Sequence, residues 1–146
     1  MGLERLFSIC VVGIVPAWLL LIFAPNWKWT QKINGGYIPS ILLAIVYTFL
    51  ILIFWRDSAG DFSSLAGVSR TFQTPGILLA GWVHYLAFDL IIGTWELQDS
   101  QKRAIPHAFL IPCLVLTFLL GPMGFLTYIL LRTVWIFAVR PAKADL

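Results

Sequence analysis

The side chains best equipped for chemistry stand where apolar surroundings are expected. The segment Ile77 to Trp95, ILLAGWVHYLAFDLIIGTW, carries His84 and Asp89. An ionisable group at bilayer depth costs several kcal/mol, so it marks a functional site by default. At a helical rise of 1.5 Å per residue, His84 lies roughly 16 Å below Trp95 and Asp89 about 9 Å below it. An imidazole and a carboxyl are a common pair for moving protons. With about 100° between successive residues, Asp89 shares a stripe with Trp82, Tyr85 and Glu96. His84 is turned away by about 140°, towards the stripe of Gly81, Phe88 and Trp95. The two groups therefore do not pair within one helix, and each faces a neighbouring helix or a bound molecule. Glu96 and Asp99 follow at the helix exit, and His107 opens the next apolar stretch. Asp89, Glu96 and His107 are expected to converge across the connection between them.

Three uses compete for these residues. The plainest is interhelical bonding, from Asp89 to Tyr85, Thr117 or Arg132. The second is a catalytic or binding site, with Asp89 and His84 as acid and base. Its walls would be Trp82, Tyr85, Phe88, Trp95, Glu96, His107 and Thr117. Rigid rings beside Gly81, Ala87 and Gly93 suit an elongated polyene or a ring-bearing lipid. The third use is a metal centre. Two histidines are few for that, and no HxxH, HxxxH or ExxH spacing occurs, so no metal ligand is assigned.

The elements that must carry these groups follow from composition. Of the 146 residues, 60% are apolar and 12% charged, against roughly 45–50% and 25% in soluble domains. A chain this apolar has lipid for solvent, not water on all sides. A net charge of +3 is no polybasic surface, so nucleic acid is excluded as a partner. Cys10 and Cys113 fall inside apolar runs and read as small core residues. Four stretches are long enough to cross a bilayer core of roughly 30 Å: about residues 3–23, 37–55, 77–95 and 108–137. The fourth can tilt or break at Gly121-Pro122. The first is too long for a signal peptide and lacks a small-x-small cleavage site, so a retained helix is expected. None alternates with period two, which argues against a β-barrel. The expected architecture is all-α: residues 1–146 as a single domain, an integral membrane bundle of four transmembrane helices.

Phe62, Leu65, Ala66, Ser69 and Phe72 suggest a short surface-lying helix in the connection Arg56 to Pro75. The next connection is expected from Glu96 to Pro106. With four spans, one side holds Arg5, Arg56, Arg70, Arg132, Arg140 and Lys143, and the other Lys28, Lys32, Lys102 and Arg103. Six against four favours both termini on the same, cytoplasmic side. Trp27, Trp29 and Trp95 are expected at one interface, Trp55 and Trp135 at the other.

One compound pattern goes further. Gly81-Trp82-Val83-His84-Tyr85-Leu86-Ala87-Phe88-Asp89 is followed by Gly93, Trp95-Glu96 and Ile105-Pro106-His107. Then come Pro112-Cys113-Leu114, Leu116-Thr117-Phe118, Gly121-Pro122 and Leu131-Arg132. This run resembles the abscisic-acid-deficient-four-like proteins, small membrane proteins of plants, algae and bacteria. The match is densest from Phe62 to Arg132. Two positions depart from the plant pattern: Thr94 where a basic residue is usual, and Glu96 where an apolar one is.

The resemblance implies a role in carotenoid metabolism, in the formation of the xanthophyll neoxanthin. That step opens an epoxide to an allenic alcohol and is a net isomerisation. It needs an acid at the epoxide oxygen and a base at the polyene, roles open to Asp89 and His84. Carotenoid is then the substrate or ligand and no further cofactor is expected. The location would be the thylakoid or plasma membrane of a photosynthetic bacterium, or a plastid membrane. The alternative is a non-enzymatic pigment-binding accessory subunit, partnered with photosystem or carotenoid-enzyme subunits. In that case His84 or His107 would ligate chlorophyll magnesium.

Overall fold

A computed structural model describes residues 2–139. Among these the regular structure is helical, with no strand. Helix α1 runs Gly2–Phe23, α2 Lys28–Ile33, α3 Ile38–Phe54, α4 Leu65–Thr71, α5 Pro75–Lys102, α6 His107–Leu120 and α7 Pro122–Val134. A 3₁₀ turn, Trp55–Asp57, extends α3, and a π-helical turn, Trp135–Val139, extends α7. Three stretches are long and apolar enough to cross a membrane: Gly2–Phe23, Lys28–Asp57 and Pro75–Lys102. These coincide with the first three expected spans. The basic residues Arg140 and Lys143 of the orientation count lie outside the described residues.

The helices pack as two compact units, and α1 and α5 each contribute to both. The first unit holds the chain up to Pro16 together with Ile38–Phe88. Its core is laid down by Ile14, Leu43, Leu50, Ile77, Ala80 and Val83, all buried. The other face of α3 turns Ile41, Leu42, Ile45, Phe49 and Leu52 outward, as a lipid-facing helix does. The surface-lying helix is present as α4. Ser64 caps it by accepting a hydrogen bond from the Gly67 amide at 3.0 Å, the usual role of serine at a helix start. Asp61 stabilises the approach to that cap, accepting from the Ser63 amide at 2.8 Å and hydroxyl at 2.6 Å. The Ser63 hydroxyl, then its amide, hold the Asp61 carboxyl below the ordinary carboxylate value, and Arg70 adds a smaller pull.

The second unit holds Ala17–Tyr37 together with the chain from Asp89 on. The segment between α1 and α3 carries α2. Thr30 Oγ1 donates to the Ala24 carbonyl (2.7 Å) and Asn34 Nδ2 to the Ala17 carbonyl (2.9 Å), both side chains buried. The connection expected from Glu96 to Pro106 is mostly helix, because α5 continues to Lys102. Its polar last turns are stabilised by partners distant in sequence, which local hydropathy does not register. Ala104, at φ 54°, ends it, and the Ile105 amide bonds back to the Ser100 carbonyl at 2.9 Å, a Schellman-type close.

The last apolar stretch takes one of its two expected courses and breaks at Gly121-Pro122, into a tight hairpin. Gly121 takes φ 37°, open to glycine at little cost, and Pro122 starts α7 where its missing N–H loses no bond. A methyl group at Gly124 would lie 2.0 Å from the Thr117 amide nitrogen, so the two helices touch at backbone level. The returning end closes on the start. Trp135 Nε1 donates to the Arg103 carbonyl at 3.3 Å, and its ring lies 6.4 Å from that of Phe109. Trp135 and Arg132 thus stand beside Arg103. With 14 and 13 residues, α6 and α7 each extend about 20 Å, short of the roughly 30 Å core.

Candidate functional site

Each unit presents one group of chemically able residues, and His84 and Asp89 fall in different groups. In the first unit, the first turns of α5 line a cleft of about 1030 Å³. Tyr47, Ile51, Leu52 and Ile53 of α3 form one wall and Ile77, Gly81 and His84 of α5 another. Phe62 and Phe72, from the segments on either side of α4, complete it, and Trp55 and Arg56 line it from the 3₁₀ turn. Gly81 is needed there, since a methyl group would come within 2.5 Å of the Phe72 ring.

His84 is held by rings. Its imidazole stacks on Phe88 with centroids 4.5 Å apart and planes at 20°, and Tyr47 lies tilted at 5.6 Å. Among the described residues it has no hydrogen-bond partner, and it is exposed towards the cleft. Its two ring nitrogens are therefore available to a guest. Trp82, one position beyond Gly81, faces elsewhere. It contacts Phe7 at 6.0 Å and Tyr85 at 5.4 Å and lines a separate shallow groove with Leu3, Glu4 and Leu78.

The second unit buries its polar groups in a seam of α5, α6 and α7. Glu96 is wholly buried, and its Oε1 accepts from Thr117 Oγ1 at 2.9 Å. Its Oε2 has no hydrogen-bond partner among the described residues. Asp89, two turns earlier and 9% exposed, lies close enough for its charge to act on Glu96. It also packs against the hairpin turn, where a methyl group at Gly121 would sit 2.6 Å from Asp89 Oδ1. Asp99 Oδ2 accepts from Tyr128 Oη at 2.7 Å and Arg103 Nε at 2.8 Å, and Arg132 Nε stands 3.2 Å from it. The Arg132 contact is an ion pair without hydrogen-bond alignment. Trp95 packs on Phe125 at 5.8 Å and edge-on to Tyr128 at 5.5 Å.

The residues singled out from sequence thus divide. His84 and Phe88 meet at the cleft; Trp82 and Tyr85 meet beside it. Glu96 and Thr117 meet in the buried seam, with Asp89 near them. His107 does not join that convergence, because its Nε2 lies 2.8 Å from the Ile22 carbonyl, which makes that nitrogen a donor. Thr117 bonds Glu96, and Arg132 pairs with Asp99. Reading the sequence alone missed Tyr47, Phe72 and Arg56 in the cleft, and Tyr128 in the seam. Tyr128 is the largest fully buried side chain. A tyrosine followed four residues later by an arginine on an apolar helix was the available signal.

The fold and these groups define a class: an all-helical protein with three helices fit to cross a membrane, a lipid-sized aromatic cleft and a buried carboxylate seam. The profile of the ABA DEFICIENT 4-like family matches residues 5–128. The chain belongs to that family. It is similar to Protein ABA DEFICIENT 4, chloroplastic, of Arabidopsis thaliana. The two are 26% identical over 110 residues, 70% of this chain and 50% of the relative. The chain thus spans about half the length of the curated relative it matches. No solved structure matches it.

Proposed function

We propose that this protein handles carotenoids of the xanthophyll class inside a photosynthetic membrane, and that the cleft at His84 receives the polyene. The observation that carries this reading is the cleft itself: aromatic and branched walls enclosing one imidazole with unbonded nitrogens. Its volume is at the upper end of the roughly 300–1,000 Å³ common for ligand pockets. Flat, rigid rings favour a flat, rigid guest. Membership of a family with a chloroplast relative supports a plastid or thylakoid setting.

The reaction proposed is an isomerisation, by epoxide opening or by cis/trans change. In epoxide opening one proton goes to the oxygen as the C–O bond breaks, and one leaves a carbon of the conjugated system. Atoms and electrons balance without an oxidant. His84 is proposed as the base that takes the carbon proton; Asp89, the acid expected from the sequence, stands in the other unit, and its part is proposed from its chemistry alone, with no shared site implied. The second reading, a pigment-holding accessory subunit, is favoured by the same unbonded nitrogens, which suit His84 as an axial ligand to chlorophyll magnesium. His107 suits it less, with Nε2 already engaged.

Topology enters the same proposal. Three crossings followed by a hairpin that returns to its starting level replace four crossings, and the last described helix then ends on the side of Arg103. Lys28, Lys32, Lys102, Arg103 and Arg132 would share that side against Arg5, Arg56 and Arg70. The positive-inside tendency then makes it the cytoplasmic or stromal side.

Expression in a violaxanthin-making host tests the function. Wild type is expected to accumulate an isomerised xanthophyll, and His84→Ala and Asp89→Asn to lose most of it. Stoichiometric chlorophyll in protein extracted with mild detergent would favour the accessory subunit. Colourless, inactive protein would overturn both readings.

A further inference from the structure

Resting on the cleft as a polyene site, we propose that Arg56 orients the guest, holding an oxygenated end group at the cleft mouth while the conjugated chain runs past His84. Arg56 and His84 line the same cleft. Arg56 is exposed and has no ion-pair partner among the described residues. Arg70 is paired with Asp61, and Arg103 and Arg132 with Asp99. A guanidinium without an anion keeps five N–H donors for hydroxyl, keto or epoxide oxygens.

Its place in the chain fits that task. Arg56 sits in the 3₁₀ turn that ends α3, where the apolar run stops and lipid gives way to water. A charged side chain is tolerated at that level and costly deeper. Beside it Trp55 and Phe62 stack at 5.6 Å with planes at 30°, a flat surface for an end ring. The cleft therefore has a donor and a ring seat at its mouth and apolar walls beyond.

Spacing turns this into a statement about register. Tyr47, which touches His84, stands nine residues before Arg56, roughly 13 Å along the helix. A guest anchored by its end group at Arg56 presents to His84 the chain about 13 Å further in. The anchored group itself lies beyond the reach of the imidazole. Arg56 is thus a positioning residue that selects oxygenated polyenes over hydrocarbon ones, which fill the walls but lack the anchor.

The test uses purified full-length protein and two probes with the same skeleton, zeaxanthin with a hydroxyl on each end ring and β-carotene with none. Induced circular dichroism of the polyene reports binding. Wild type is expected to bind zeaxanthin about tenfold tighter than β-carotene, the size of one hydrogen bond to a charged group. Arg56→Gln should abolish that preference by weakening zeaxanthin alone, and Arg56→Lys should restore part of it. Equal weakening of both probes, or of neither, overturns the role of Arg56 while leaving the polyene site standing. Wild type that binds neither probe overturns the polyene site and this inference with it. An anionic phospholipid that displaces zeaxanthin from wild type but not from Arg56→Gln makes the mouth a lipid headgroup site and also overturns it.

Discussion

The two units handle polar groups in opposite ways. In the first, His84 is left without a hydrogen bond and turned into a cleft walled by rings. In the second, Glu96 accepts from Thr117 through one oxygen and Asp99 from Tyr128, both pairs drawn inward. A side chain that stabilises the fold has its partners within the chain, whereas one that serves a guest keeps its bonding capacity open. Substitutions in the seam should therefore cost stability, and substitutions in the cleft should cost binding with little change in stability.

The largest effect is expected at the hairpin. Gly124→Ala drives a methyl group into the Thr117 backbone, and overpacking against backbone costs about 3 kcal/mol. Its unfolding midpoint in detergent should drop well below that of wild type; an unchanged midpoint would break the seam side of the comparison. Asp99→Ala follows, at about 2 kcal/mol, since it strands Tyr128 and two guanidinium groups that are themselves partly exposed. Glu96→Gln keeps an acceptor for Thr117, so its loss should stay under about 1 kcal/mol. Glu96→Ala leaves that hydroxyl unpaired and should cost about 2 kcal/mol. Denaturant titrations of the pair read the difference.

His84→Ala sharpens the contrast from the other side. Its unfolding free energy should stay within about 0.5 kcal/mol of wild type, while polyene binding falls. The smallest effect belongs to the connection before α4. Asp61 has a carboxyl held below its ordinary 3.8 by the two Ser63 bonds. The support it gives is complete above that ordinary value and is lost as pH falls through the lower folded one. Limited proteolysis between Ala59 and Ser64 should accelerate only in that acidic window. Asp61→Asn should remove the pH dependence.

How much of this was legible in the sequence follows the range of each cause. Apolar length is a local property, and it located α1, α3 and the body of α5. The Gly121-Pro122 break was also local and visible. The sharpness of the turn was not, because it needs Gly124 to pass Thr117 at backbone distance. The last turns of α5 read as loop, since their polarity is balanced by Thr117, Tyr128 and Arg132, between 21 and 33 residues further on. His84 was legible as an isolated imidazole, and its stacking on Phe88 followed from helical spacing. Tyr47, Phe72 and Arg56 were not legible, because nothing in their own segments marks them as neighbours of His84.

On the proposed three-crossing topology, the α6–α7 hairpin need not be threaded across the bilayer during synthesis. It can be seated from one leaflet once α5 is in place, closing when Asp99 captures Tyr128 and the two arginines. On that topology biogenesis would divide into an insertion stage that delivers three helices and a later docking stage for the hairpin.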